Sequence, residues 1–101
     1  MRWQRLEDQH LLDLSNIPDL RGLDLTGNKQ LTDEGFRQLA KIKTLEKLVL
    51  SFTYIGDDGL EAFAKLDRLV HLDVSKTRIT PAGLAFVKAA LPKCHVVVDN
   101  A

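Results

Sequence analysis

Apolar and polar positions along the chain follow two rhythms that take turns. Leu23-Asp24-Leu25, Leu48-Val49-Leu50 and Leu72-Asp73-Val74 have a period of two. That is the pattern of a strand with one buried face. After each of these, apolar residues return at steps of three and four: Phe36, Leu39, Ile42, then Leu60, Phe63, Leu66, then Leu84, Val87, Leu91. Those steps put a single apolar stripe on a helix. Thr32 and Thr80 stand where N-caps are expected, and Pro81 suits the first helical position. Asp33, Asp57 and Asp58 fall where the helix end is positive. The chain is therefore predicted to run strand–helix three times.

The three passages are copies of one phrase. Leu20-Arg21-Gly22-Leu23-Asp24-Leu25 returns as Leu45-Glu46-Lys47-Leu48-Val49-Leu50 and again as Leu69-Val70-His71-Leu72-Asp73-Val74. The phrase that opens each helix starts at Leu31, Ile55 and Ile79, with the same step both times. The strand phrase takes one extra position in its first step, from Leu20 to Leu45. A near-constant period of this length marks a repeat array. Gly35, Gly59 and Gly83 recur near each helix start, where glycine costs about 0.5–1 kcal/mol relative to alanine. Their return predicts close backbone packing or a special dihedral.

The ends differ from the middle. Leu11, Leu14, Ile17 and Leu20 each stand one such longer step before Phe36, Leu39, Ile42 and Leu45, so the chain opens on the helical half of a repeat. Asn16 and Pro18 close that helix. Trp3 is placed over the open end of the core, since an array must cap its ends. At the other end Val96-Val97-Val98 reads as a strand of open register. The expected organisation is one domain, 1–101, with a helical cap at 1–19, repeats at 20–44, 45–68 and 69–93, and a terminal strand at 94–101.

Composition narrows the partners. Lys plus Arg and Asp plus Glu both number 14, for a net charge of zero. This removes the bulk attraction behind nonspecific nucleic-acid binding, and no polybasic run offers a membrane surface. The expectation is no nucleic acid and no membrane. The one cysteine, Cys94, allows no internal disulfide and no zinc set. It reads as a small apolar residue in the core. With no apolar leader and no run of about 18 apolar residues, a cytoplasmic, reducing setting is expected.

The phrase Leu-x-x-Leu-x-Leu-x-x-Asn/Thr-x-Leu/Ile-Thr-Asp-x-Gly-Leu-x-x-Leu, carried over residues 11–99, resembles the leucine-rich repeat. It is most similar to the cysteine-containing and ribonuclease-inhibitor-like subtypes. The resemblance implies an α/β right-handed solenoid with a parallel concave sheet and convex helices. It implies that Asn28, Thr53 and Thr77 hydrogen-bond backbone inside each turn, and that the extra residue in Asn28-Lys29-Gln30-Leu31 makes a small bulge. It also implies a non-catalytic protein–protein interaction module, without cofactor or metal, working through the concave strand positions and adjacent loops. The alternative is a structural or assembly subunit, or a fragment of a longer array, that works through its ends.

Strand alternation assigns the exposed columns: Gly22, Lys47, His71; then Asp24, Val49, Asp73; then Thr26, Ser51, Ser75. Beyond them come Gly27, Phe52, Lys76 and Lys29, Tyr54, Arg78. These letters change between units while the leucines do not. Asp24, Lys47, Val49, Phe52, Tyr54, His71 and Asp73 are the candidate protein-binding residues. Phe52 and Tyr54 either fold back over the loop or meet a partner, where aromatics often dominate the energy. His71 and Asp73 share a face but fall short of the three or four ligands a metal needs. Asp57-Asp58 reads as helix-start charge, and lacks the ligand spacing of a calcium loop. Four strands offer a face of about 300–400 Å², whereas a standard interface buries about 800 Å² per partner. The loop edge must then join in, or the partner is a peptide, or the chain assembles. An exposed last strand favours edge-mediated self-association.

Overall fold

The computed structural model describes residues 11, 13, 14 and 16–99. The expected position of Trp3 over the core lies outside the described residues, as does most of the predicted cap. Of that segment, Leu11 and Leu14 are helical and buried. They join the same core as Phe36 and Leu39.

From there strands and helices alternate: β1 (Gly22–Asp24), α1 (Asp33–Leu39), β2 (Lys47–Val49), α2 (Asp57–Glu61), a 3₁₀ turn (Ala62–Lys65), β3 (His71–Asp73), α3 (Pro81–Ala90) and β4 (His95–Val97). The strands form one parallel sheet in the order β1-β2-β3-β4. Consecutive parallel strands need a crossover between them, and the helices supply it. The fold is an α/β repeat solenoid.

Leucine places the layers. Leu23, Leu48 and Leu72 at the strand centres are buried, and Val96 joins them in register. Leu25, Leu50 and Val74 form the next buried layer. On the helical side Phe36, Leu39, Leu60, Phe63 and Val87 meet them, while Leu84 is only partly buried. Cys94 is half-buried at the edge of this core, not enclosed in it, because it sits in the turn that leads into the last strand. The ladder runs past the strands as assigned: Leu25 N–H donates to Val49 O at 2.8 Å, Leu50 to Asp73 O at 2.7 Å and Val74 to Val97 O at 2.9 Å.

The helices are not alike, and apolar spacing goes with how each one ends. In Leu60, Phe63, Leu66 every step is three, the period at which 3₁₀ side chains eclipse. There the helix tightens after Glu61, and Leu66 N–H bonds Phe63 O. Ile42 N–H likewise bonds Leu39 O. Leu91 comes four positions after Val87, and its N–H bonds Val87 O, so α3 stays α-helical to Ala90.

The recurring glycine position is a contact between units. A Cβ on Gly83 would overlap the Asp57 carboxylate oxygen and stand 2.5 Å from Asp57 Cγ. Thr80 N–H donates to Asp57 Oδ1 at 2.9 Å, and its hydroxyl donates to Asp57 Oδ2. Thr80 Oγ1 in turn accepts a long bond, 3.5 Å, from Gly83 N–H. Asp57 is thus a helix-start acid and also a clasp between the second and third units. Thr32 holds the matching N-cap place but makes no side-chain cap bond.

Candidate functional site

The strand register sets the face outside the core. Gly22, Lys47, His71 and His95 form one row; Asp24, Val49, Asp73 and Val97 form the next. Lys47 and His95 are exposed, while His71, Asp24, Val49, Asp73 and Val97 are half-buried. His95 is the residue sequence reasoning passed over. Its ring centroid lies 5.8 Å from that of His71, tilted by 33°. The step from Lys47 to His71, taken once more, lands on His95, which is the signal that locates it.

Two acids on this face are tied to the backbone. Asp24 Oδ1 accepts Thr26 N–H at 3.0 Å and the Thr26 hydroxyl. Asp73 Oδ1 accepts Ser75 N–H at 3.0 Å. These side chains brace the turns that follow the strands. The third column departs from expectation: Ser51 is buried and Thr26 and Ser75 are half-buried. The chain is already turning over the core there. Asn28 Nδ2 donates to Leu25 O at 2.9 Å, Thr53 Oγ1 to Leu50 O at 2.8 Å and Thr77 Oγ1 to Val74 O at 2.7 Å. One side chain per unit thus donates to the strand-end carbonyl inside the turn, and in the first unit Leu25 O also accepts Asn28 N–H at 3.2 Å.

The turn has a second consequence. Gly27, Phe52 and Lys76 occupy one place in successive units and have φ of 81°, 59° and 57°. Their N–H groups bond the next unit, at Ser51 O, Ser75 O and Asp99 O. A left-handed residue here keeps the ladder going while the strand ends. Glycine takes that conformation freely; a phenylalanine in it costs about 1–2 kcal/mol. Phe52 is nonetheless 50% exposed, and Tyr54 47%. Neither folds away over the core. The Arg78 guanidinium carbon stands 4.2 Å above the Tyr54 ring centroid, joining the second unit to the third. Phe52, Tyr54 and Arg78 make an aromatic–cationic ridge along the edge where the strands end.

Other groups lie away from this face. The Thr80 hydroxyl, and after it the Thr80 N–H, hold the Asp57 carboxyl below the usual carboxylate range. Burial pushes the Cys94 thiol up. Cys94 lines a cleft of about 220 Å³ at the β4 end with Leu69, Ala90, Leu91 and Pro92. Among the described residues no helix is long and apolar enough to cross a membrane.

The family pattern described as Leucine Rich repeat matches residues 17–40 and 41–64. The chain carries two leucine-rich repeats. The matched units run helix to helix, so each is cut a few positions earlier than at Leu20 and Leu45. The leucine-rich sheet continues beyond them through β3 and β4. Leucine-rich repeats generally mediate protein–protein interaction, and the family is typically non-catalytic. A curated relative is the Caenorhabditis elegans protein named "Putative RNA-binding protein EEED8.10", 32% identical over 63 residues. That match takes in 61% of this chain and spans 8% of the relative's length.

Proposed function

We propose that this leucine-rich-repeat chain is a non-catalytic module that binds a protein or peptide. The partner lies on the rows of Lys47, His71, Val49, Asp24 and Asp73 and reaches the loop edge at Phe52 and Tyr54. The observation that carries the reading is Phe52, held in a left-handed conformation with half its surface in solvent. The left-handed backbone serves the ladder in every unit, so what sets Phe52 apart is an exposed aromatic side chain that gains nothing for the fold. The neighbouring Tyr54 and Arg78 are residue types that dominate binding energy in many interfaces. The narrow sheet needs this ridge to approach the area of an ordinary interface.

The test is capture by the wild type beside Phe52→Ala and Tyr54→Ala, with folding of each checked by circular dichroism. The reading expects a partner lost in the variants. Equal recovery with wild type and both variants would remove the ridge from the binding surface.

A second reading places the work at the ends of the array. The cleft beside Cys94 leaves Leu69 and Leu91 at its wall, and β4 has a paired neighbour on the β3 side. A unit stacked there would extend the solenoid, and self-association through that edge is the version available to this chain alone. Light scattering that shows a clean monomer over a broad concentration range would dismiss it. The relative's name brings RNA into consideration. The zero net charge and the presence of Asp24 and Asp73 on the face weigh against a polyphosphate. We place the chain in a reducing, cytoplasmic setting, on the single unpaired thiol.

A further inference from the structure

We infer that the row Lys47–His71–His95 is an anion-recognition strip for an acidic peptide segment, and that its grip tightens as the imidazoles gain protons. The inference rests on the reading that the concave face binds peptide, and adds the chemistry of the partner.

The three side chains come from adjacent parallel strands in strict register. At about 4.8 Å per strand they fit within about 10 Å. The two imidazoles stand 5.8 Å apart, close enough for one carboxylate to bridge them. An imidazole takes up its charge between about pH 8 and pH 5. Two imidazolium rings at this separation repel each other, so a carboxylate placed between them replaces repulsion by attraction. No ion pair among the described residues engages Lys47. The row itself contains no acid.

The surrounding acids stay anionic and confine this field to the row itself. On β3 the nearest acid is Asp73, whose Oδ1 accepts Ser75 N–H. On β1 it is Asp24, braced to Thr26. Glu46 precedes Lys47 and is half-buried, Val70 precedes His71, and exposed Lys93 stands two positions before His95. β4 contributes Val97.

The next row supplies the second half of the recognition. Val49 and Val97 stand two positions along their strands from Lys47 and His95, about 7 Å away. That is also the distance between alternate side chains of an extended peptide. An acidic side chain over the histidines therefore places the side chain two residues along over a valine, where an apolar one fits. A nucleic-acid backbone fits less well, since its closely spaced phosphates would meet Asp24 and Asp73 in that second row.

The experiment pans a random peptide library against the full chain at about pH 6 and about pH 8, the two sides of the imidazole range. The expected binders at the lower pH are enriched in aspartate and glutamate with an apolar residue two positions along. Their affinity falls from the lower pH to the higher. In His71→Gln/His95→Gln, with its fold verified by circular dichroism, that pH dependence disappears; Lys47→Ala weakens binding at both pH values. Binders without acidic enrichment that are lost in Phe52→Ala would overturn the strip and leave the peptide-binding face standing. Recovery of no binders, pH dependence that survives in the double glutamine variant, or displacement of the peptides by an oligouridylate would each overturn the strip as well.

Discussion

The Asp57 carboxylate occupies the space that a side chain on Gly83 would need. Asp57 opens the second helix and Gly83 lies in the first turn of the third. The contact joins two successive units, and Thr80 locks it by donating to both carboxylate oxygens. Gly83→Ala should therefore evict the carboxylate and cost about 1–3 kcal/mol, in the range of overpacked sites. Asp57→Gly should make the same alanine far less harmful. A double-mutant cycle by urea unfolding measures this coupling, and simple additivity would refute it.

The same clasp makes part of the stability depend on pH. Hydrogen bonds from the Thr80 hydroxyl and N–H lower the folded-state pKa of Asp57 below that of the unfolded chain. A lowered carboxylate pKa adds stability above the unfolded pKa and loses it as pH falls through the folded one. Thr80→Val removes the hydroxyl while keeping the N–H. It should cost about 0.5–1 kcal/mol at neutral pH, a figure kept small because solvent screens the site. The difference from wild type should shrink as pH falls through the carboxylate range. Unfolding free energies for both proteins between neutral pH and the acid limb provide the comparison.

Thr53 takes the asparagine place of its unit, and its hydroxyl is bonded to Leu50 O at 2.8 Å in a buried setting. Thr53→Val is nearly the same size but leaves that carbonyl unpaired, a loss of about 1–3 kcal/mol. Thr53→Asn should retain most of the stability, because Asn28 makes the corresponding bond in the first unit. Thermal unfolding ranks the three proteins; a valine variant as stable as wild type would show that the bond is dispensable.

Phe52 separates backbone cost from side-chain use. At φ 59° both phenylalanine and alanine are strained, whereas glycine is not. Phe52→Gly should be more stable than Phe52→Ala by about 1 kcal/mol, although glycine normally destabilises. Both variants should lose partner capture. The order of their urea midpoints tests the conformation, and the capture assay tests the side chain.

Much of the architecture was legible because repetition makes physics redundant. Leucine at a period of two, then apolar residues at steps of three and four, admits one compact solution when the pair recurs at a near-constant interval: stacked strands, stacked helices and a shared core. The turn residues were legible for the same reason, since Asn28, Thr53 and Thr77 each satisfy one strand-end carbonyl. Of the face, the places of Lys47 and His71 followed from alternation, because successive side chains of a strand point to opposite sides.

The rest needed three dimensions. Val96, Val97 and Val98 are equally apolar, so only pairing with β3 fixed the last register and brought His95 beside His71. Ser51 follows the alternation yet is buried, because the backbone has begun to turn over the core. Asp57 read as a helix-start charge, and its second role depends on Thr80 and Gly83 in the next unit. By itself the sequence determined which residues form the scaffold, since burial repeats with the period. Only the tertiary structure decided which surface residues meet, since contacts between units depend on register and on backbone dihedrals that no single unit's pattern records.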